Sequence, residues 1–382
     1  MSEGTVELAV PPRTLKAVTF TDGTLEDLET WLAELPAGPE EAARRLRNGL
    51  LELNRAAGYF TARFPELELL RPQVRRLCRR LPATPAQQRL AQTLQTELVT
   101  GYKVVIVETL RERVPLEAGS TPDSPTGMAI ASIQRALAEF ADLLLRALRH
   151  DTAAPPDLWA EANQLFRLAE SAGVLDEPVR DPQQRRHEHT RVVDAWLRLV
   201  LLGTSDPNAL RRSQLGPLYE ALEDWTRWVD VQREAPELRA AAVVDLAGDD
   251  PPVRGALHEA GEGAELRWID GRRLLAGLGE LVAGRTSAEG LRLPERDGVD
   301  LAQYALRHWA AEAERGAGRL ASRGEVELCA GMAAVHRQLR GGSAAAGTTV
   351  LRLAISDASP GGYGLETREP LPDGLQAGEL LA

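Results

Sequence analysis

Cysteine, lysine, histidine and aromatic side chains are all scarce in this 382-residue chain. The two cysteines, Cys78 and Cys329, lie far apart in apolar or helical surroundings, so neither a disulfide framework nor a zinc-ligand spacing is present. Each reads as a small core residue. Lysine occurs only at Lys16 and Lys103, and arginine takes its place as a matter of composition. The six histidines have no partners in a catalytic order. His187 and His189, two apart beside Arg185 and Arg186, would face opposite ways on a helix, so they read as a hydrated helix start and not as a metal pair. There is no Walker loop, dinucleotide fingerprint, Ser-His-Asp order or zinc motif, which argues against an enzyme. No apolar run reaches the length of a membrane span, and Met1-Ser-Glu-Gly-Thr5 has neither the charge nor the apolar stretch of a signal peptide. A reducing cytoplasm is therefore expected. Positive charge is also in deficit. The net charge of −11 excludes general binding to nucleic acid or anionic membranes, although a local arginine pocket for a nucleotide remains open.

Helical periodicity dominates the first 235 residues, after an extended arm over 1–22 in which Pro11-Pro12 blocks a helix. Thr24 and Asp27 form the start of the first helix, whose apolar stripe is Leu25, Leu28, Trp31, Leu32 and Leu35. Pro39 and Pro85 each open a helix at its first turn. Gly101 inside the helix from Pro85 marks a place where another helix packs close. Arg71, Arg75, Arg76, Arg79 and Arg80 make the helix over 67–81 strongly basic. In an acidic protein such charge is solvated or paired with acids, with a surface for an acidic partner as the alternative. Residues 112–127 read as a loop, and helices are expected over 128–150, 158–169, 191–202 and 207–232. Trp225 and Trp228 fall on one face of the last, as core or interface residues. No fixed period of a solenoid is found.

The texture changes near residue 239. Ala241–Leu246 and Glu265–Ile269 read as strands, followed by a helix over 271–282, giving a small β-β-α unit. Asp245, Asp249 and Asp250 lack calcium-loop spacing and form an acidic turn. Val299 to Gly318 reads as a helix carrying Arg315, with Arg319 and Arg323 following at intervals of four. Spacing of i, i+4 places two guanidiniums on one helix face, and their forks suit phosphate oxygens and the acceptor edge of guanine. A solvated arginine face is the structural alternative. Val350–Ile355 then alternates as a strand. Asp357 and Ser359 can cap the turn after it, Gly361, Gly362 and Gly364 permit a tight turn, and Tyr363 and Leu365 resume the alternation.

Arg319-Leu-Ala-Ser-Arg323 and Asp357-Ala-Ser359-Pro-Gly-Gly362 together resemble the R-x-x-x-R and [D/N]-x-S-x-x-G motifs of the PilZ family, in the family's order. The resemblance covers about residues 310–382. It implies a six-stranded barrel that binds the bacterial second messenger cyclic di-GMP, with Arg319 and Arg323 holding guanine and phosphate and Asp357, Ser359 and Gly362 completing the site. Arg315 would add a third basic contact. Only fifty-nine residues follow Arg323, so a partial, truncated barrel is expected.

The expected fold class is α+β in three parts: a helical domain with its arm (1–235), a β-β-α unit (236–298), and a linker helix with a PilZ-like partial β-barrel (299–382). Two functions follow. One is a cytoplasmic cyclic di-GMP receptor or adaptor relaying ligand binding to a helical surface that meets a protein partner. The other is a helical interaction scaffold with a structural C-terminal β unit, its arginines paired with acids such as Glu312 and Glu314. A barrel completed by a second chain is a third possibility. No cofactor and no metal is implied.

Overall fold

The computed structural model describes residues 8–58, 60–184, 186–205, 210–234, 242–254, 264–285, 291–294, 297–309, 320–329, 350–359 and 362–366. The chain divides into two compact units, Met1–Glu312 and Ala313–Ala382.

The first unit is built on helices whose starts are set locally. Thr24 caps α1 (Leu25–Ala33), its hydroxyl accepting from the Asp27 amide at 3.1 Å and donating to the Asp27 carboxylate at 2.7 Å. Proline stands at the first position of α2 (Pro39–Arg55), α4 (Pro85–Arg111) and α5 (Pro125–His150), where its missing N–H costs nothing. Between them, α3 (Phe60–Arg80) begins earlier than its apolar period suggests and carries Pro65 and Pro72 internally. The long helices α4 and α5 form the centre, with α2 and α3 packed on α4. A Cβ on Gly101 would come within 2.5 Å of Leu67 and 3.1 Å of Asn54, so this glycine is where α3 and α2 press against α4.

The expected hydrated helix start near His187 is instead a small antiparallel pair. Strands β1 (Pro178–Arg180) and β2 (His189–Arg191) flank a turn, and His187 points its Nε2 at Asp224, 2.5 Å away. Three-residue strands carry too little alternation to be read from the sequence. The chain continues through α6 (Leu158–Ser171), which precedes this pair, then α7 (Val192–Thr204) and α8 (Arg212–Trp225). The helix expected over 207–232 is shorter. It ends at Trp225, passes through a single 3-10 turn, and gives way to strand β3 (Asp230–Gln232).

Four antiparallel strands follow the order β3-β6-β4-β5, with β4 at Ala242–Asp245, β5 at Val253–Arg254 and β6 at Leu266–Asp270. Helices α9 (Arg272–Val282) and α10 (Gly298–Trp309) pack on one another. This sheet is bound to the helices by buried polar groups. Asn163, fully buried on α6, donates to the Asp245 carbonyl at 3.1 Å and accepts from the Trp196 indole at 3.3 Å. Trp196 in turn stacks on Phe166 at 4.0 Å. Asp157, at the start of α6, has a left-handed φ of 59° and makes no side-chain cap. The missing cap comes from Asp249 in the turn after β4, whose carboxylate accepts from the Asp157 and Ala160 amides at 3.1 and 2.8 Å. Asp245 likewise accepts from the Ala247 and Glu265 amides. The acidic turn is thus occupied in holding backbone, and no metal-binding cluster is found among the described residues. Trp225 and Trp309 meet edge to face at 6.1 Å, and the Tyr304 hydroxyl donates to the Ser205 carbonyl at 2.7 Å.

The arginines of α3 divide: Arg76, Arg79 and Arg80 are exposed, while Arg71 and Arg75 turn inward to acids. Arg71, 1% exposed, donates to Glu139 and to both oxygens of Asp181 at 2.8–3.2 Å. Arg135 binds Glu68 and the Arg180 carbonyl, and Arg75 binds Glu139 and Asp142. Tyr102 and Gln95 donate to Glu68 and Glu139. Burial alone would push the Asp181 and Glu68 carboxyls up, but the surrounding Arg71 and Arg135 hold both below the usual carboxylate range. Buried charges are tolerated here because each has a partner of opposite sign. Among the described residues, no helix is long and apolar enough to cross a membrane.

Candidate functional site

The second unit contains one antiparallel sheet, in the order β7-β8-β9: β7 (Leu320–Cys329), β8 (Val350–Ser359) and β9 (Gly362–Glu366). The alternation expected for β8, and its restart after the glycines, is present. Leu353 is buried between exposed Arg352 and Ala354. Ser359 pairs with Gly362, leaving two residues between the strands, the spacing of a tight hairpin.

Arg323 does not stand at the end of a helix. It lies inside strand β7, so the helix-face reading of the i, i+4 spacing fails for this residue. The apolar alternation of Val326 and Leu328 extends upstream through Gly324 to Leu320, and that longer period outweighs the arginine spacing. Arg315 and Arg319, the linker segment over 310–318, Glu312, Glu314 and the small-residue loop over 341–347 lie outside the described residues.

The sheet brings the remaining motif residues to one end. Ala321 pairs with Asp357, and Asp357 pairs on its other side with Gly364. The Ala321↔Asp357 pair is followed by Gly324↔Ile355, so β7 spends two residues, Ser322 and Arg323, where β8 spends one, Ser356. Against β9 the count falls again: Ser356 lies between Ile355 and Asp357, while Leu365 and Gly364 are adjacent. Two successive bulges thus stack across the sheet at one level. Each raises the local twist and bends its strand, the usual means of re-aiming side chains beside a site. The backbone of Arg323 sits in the first bulge, that of Asp357 beside both, and Ser359 and Gly362 close the hairpin two pairs further on. Neighbouring strands lie about 4.8 Å apart, so the backbones of Arg323, Asp357, Ser359 and Gly362 gather at one end of the sheet. The two motifs, over thirty residues apart in sequence, share one sheet edge region in the fold.

Sequence comparison identifies the class. Residues 26–237 match the family described as the N-terminal domain of the cyclic-di-GMP receptor FimW, and residues 242–346 match its middle PilZ domain. The cyclic-di-GMP receptor FimW of Pseudomonas aeruginosa is 32% identical over 353 residues, covering 88% of this chain and 56% of that protein. The chain belongs to the FimW family. It spans little more than half the length of this relative. No solved structure matches.

These matches correct the expected reach of the resemblance. It is not confined to about 310–382: it takes in the helical region, and its PilZ part starts at residue 242, at the first strand of the β-β-α segment. The PilZ match contains Arg315, Arg319 and Arg323 and ends before Asp357, Ser359 and Gly362. The weak signal for the earlier start was the pair of strands at Ala242–Asp245 and Leu266–Asp270, which carry no ligand motif of their own.

Proposed function

We propose that this chain is a cytoplasmic receptor for cyclic di-GMP, which it binds at the bulged end of the β7-β8-β9 sheet. Arg323 and Arg319 act as the basic clamp, with Arg315 as a further cation; Asp357, Ser359 and Gly362, at the hairpin end of β8 and β9, complete the site. The observation that carries this reading is the register that places Arg323 within two residues of the Ala321↔Asp357 pair and the hairpin Ser359↔Gly362 beside it. Family membership supports the ligand, since the relative is itself named a cyclic-di-GMP receptor.

The chemistry follows from the residue types. A guanidinium presents parallel N–H donors that match two phosphate oxygens or the O6/N7 edge of guanine, and its plane stacks on the base. A carboxylate and a hydroxyl supply the complementary acceptors for guanine N–H groups. Such a site serves binding and release of its ligand. The helical unit is the natural output surface for a protein partner, because ligand binding can act on it only by favouring one arrangement of the chain over another.

Calorimetric titration of cyclic di-GMP into the chain and into Arg319→Ala/Arg323→Ala tests the proposal. Binding of about micromolar strength or tighter, some 8 kcal/mol, that the double substitution abolishes is the expected result. Undiminished binding in the variant would remove these arginines from the site, and no heat with either protein would reject the receptor reading for this chain.

A further inference from the structure

The first unit contains a cavity of about 640 Å³ between α3, α5, α7 and α8. It is large enough for a nucleotide. Its walls carry six arginines and His150 against three carboxylates, in a chain whose net charge is −11. Half of those arginines are accounted for. Arg75 binds Glu139 and Asp142, Arg198 binds Glu223 and the Tyr219 carbonyl, and Arg212 binds Asp151.

The other half are not. Among the described residues, Arg79, Arg146 and Arg149 have no carboxylate within salt-bridge distance. Arg146 donates only to the neutral Gln88 amide, at 3.0 Å, and its buried Nε has no hydrogen-bond partner. Arg149 lies over Gly216, where its Nη2 occupies a position 2.6 Å from any Cβ that residue might carry; the glycine makes the space for the guanidinium. Burial, then the charges of Arg146, Arg149 and Arg212, push the His150 imidazole down, as expected where positive charge is in excess. A fold that pairs Arg71, Arg75 and Arg135 directly leaves Arg79, Arg146 and Arg149 without a direct ion pair at the adjoining cavity: Arg146 is half-buried, while Arg79 and Arg149 are exposed and Arg149 feels the charges of Asp142 and Glu220. Like charges gathered around a concave site cost stability unless a ligand of opposite sign completes them.

We infer that this cavity is a second ligand site, for a nucleotide-sized molecule bearing two or more phosphate charges, held by Arg79, Arg146 and Arg149. Planar guanidiniums converging from two helices supply the bidentate donors that phosphate oxygens take up. Leu81 and Leu145 in the wall give an apolar surface for the remainder of the molecule. The inference is independent of the β-sheet site.

The test uses the full chain carrying Arg323→Ala, so that the sheet site is disabled, and follows thermal unfolding with pyrophosphate, GTP and cyclic di-GMP in turn. At least one probe should raise Tm by about 2 °C or more at ten times its Kd. Which one does so identifies the source of the phosphate: pyrophosphate alone for charge, GTP for a nucleoside polyphosphate, cyclic di-GMP for a cyclic dinucleotide. Adding Arg79→Gln/Arg149→Gln should abolish the shift while the free protein unfolds at the same or a higher temperature, because repulsion has been relieved. No shift with any of the three probes, a shift that survives the glutamines, or a drop in the Tm of the free variant would each overturn the assignment. Cyclic di-GMP binding to the chain with Arg323 intact reports on the sheet site separately.

Discussion

Two groups of arginines along α3 and α5 are treated in different ways. Around Arg71, Arg75 and Arg135, every guanidinium is met by Glu68, Glu139, Asp142 or Asp181, and Arg71, Arg135, Glu139 and Asp181 are buried. Around Arg79, Arg146 and Arg149, the same side chains line an open cavity with no direct ion pair among the described residues, and Arg79 and Arg149 are exposed. Residue type alone distinguishes nothing here. Partners do: a compensated arginine specifies packing, whereas an uncompensated one at a concave surface is available to a ligand.

The sharpest way to break this contrast is to remove compensation where it exists. Arg71→Met leaves Asp181 and Glu139 buried with fewer partners, and should cost about 3–5 kcal/mol, read as a lower denaturation midpoint at unchanged slope. An equal cost from Arg79→Met would erase the distinction. Next in size is the closeness of the helices that hold the network. Gly101→Ala forces a methyl to within 2.5 Å of Leu67 and should cost about 1–3 kcal/mol by the same measurement.

Acid should separate the two groups as well. Asp181 has its carboxyl held below the ordinary 3.8, against the effect of burial, by Arg71 and Arg135. A depressed carboxyl contributes stability that is complete above the unfolded value and is lost as pH falls through it toward the folded value. The parent chain should therefore lose stability as pH drops below about 4, and Arg71→Met should show a shallower loss over that window. Parallel acid profiles would mean that the pair carries no linkage. Smaller still is the helix cap supplied from a distance: Asp249→Ala should cost about 1 kcal/mol, with faster amide exchange at Asp157 and Ala160. Finally, Cys78 is 4% exposed and its thiol is pushed up to about 12 by burial, so it should resist alkylation at pH 8 until the chain unfolds.

What could be read from the sequence was local. The Thr24–Asp27 cap, proline at helix starts, the close approach at Gly101 and the strand-turn-strand at 350–365 each rest on residues within a few positions of one another. The network around Arg71 joins residues 68 and 110 positions apart, so nothing near Arg71 could reveal whether it faced water or Asp181. The candidate sheet site was half legible. Asp357, Ser359 and Gly362 sit in a hairpin that alternation and glycine announce, while Arg323 was assigned to a helix because a spacing of four is shared by helix faces and by coincidence. Its strand is fixed by pairing with β8, and the stacked bulges beside it are properties of register, which no single strand encodes.

The cap that Asp249 lends to α6 bears on how the two family domains can be handled. Asp249 falls within the segment matched to the middle domain, and α6 within the segment matched to the N-terminal one. The boundary drawn by inheritance between residues 237 and 242 is therefore crossed by a bond on which a helix depends, and both sides belong to one compact unit. A chain cut at that boundary would leave α6 with a frayed end and Asn163 facing an absent strand. Exchange of the middle domain between relatives must carry its docking turn along, and the seam between the modules is a weld, with no joint at which they could be parted cleanly.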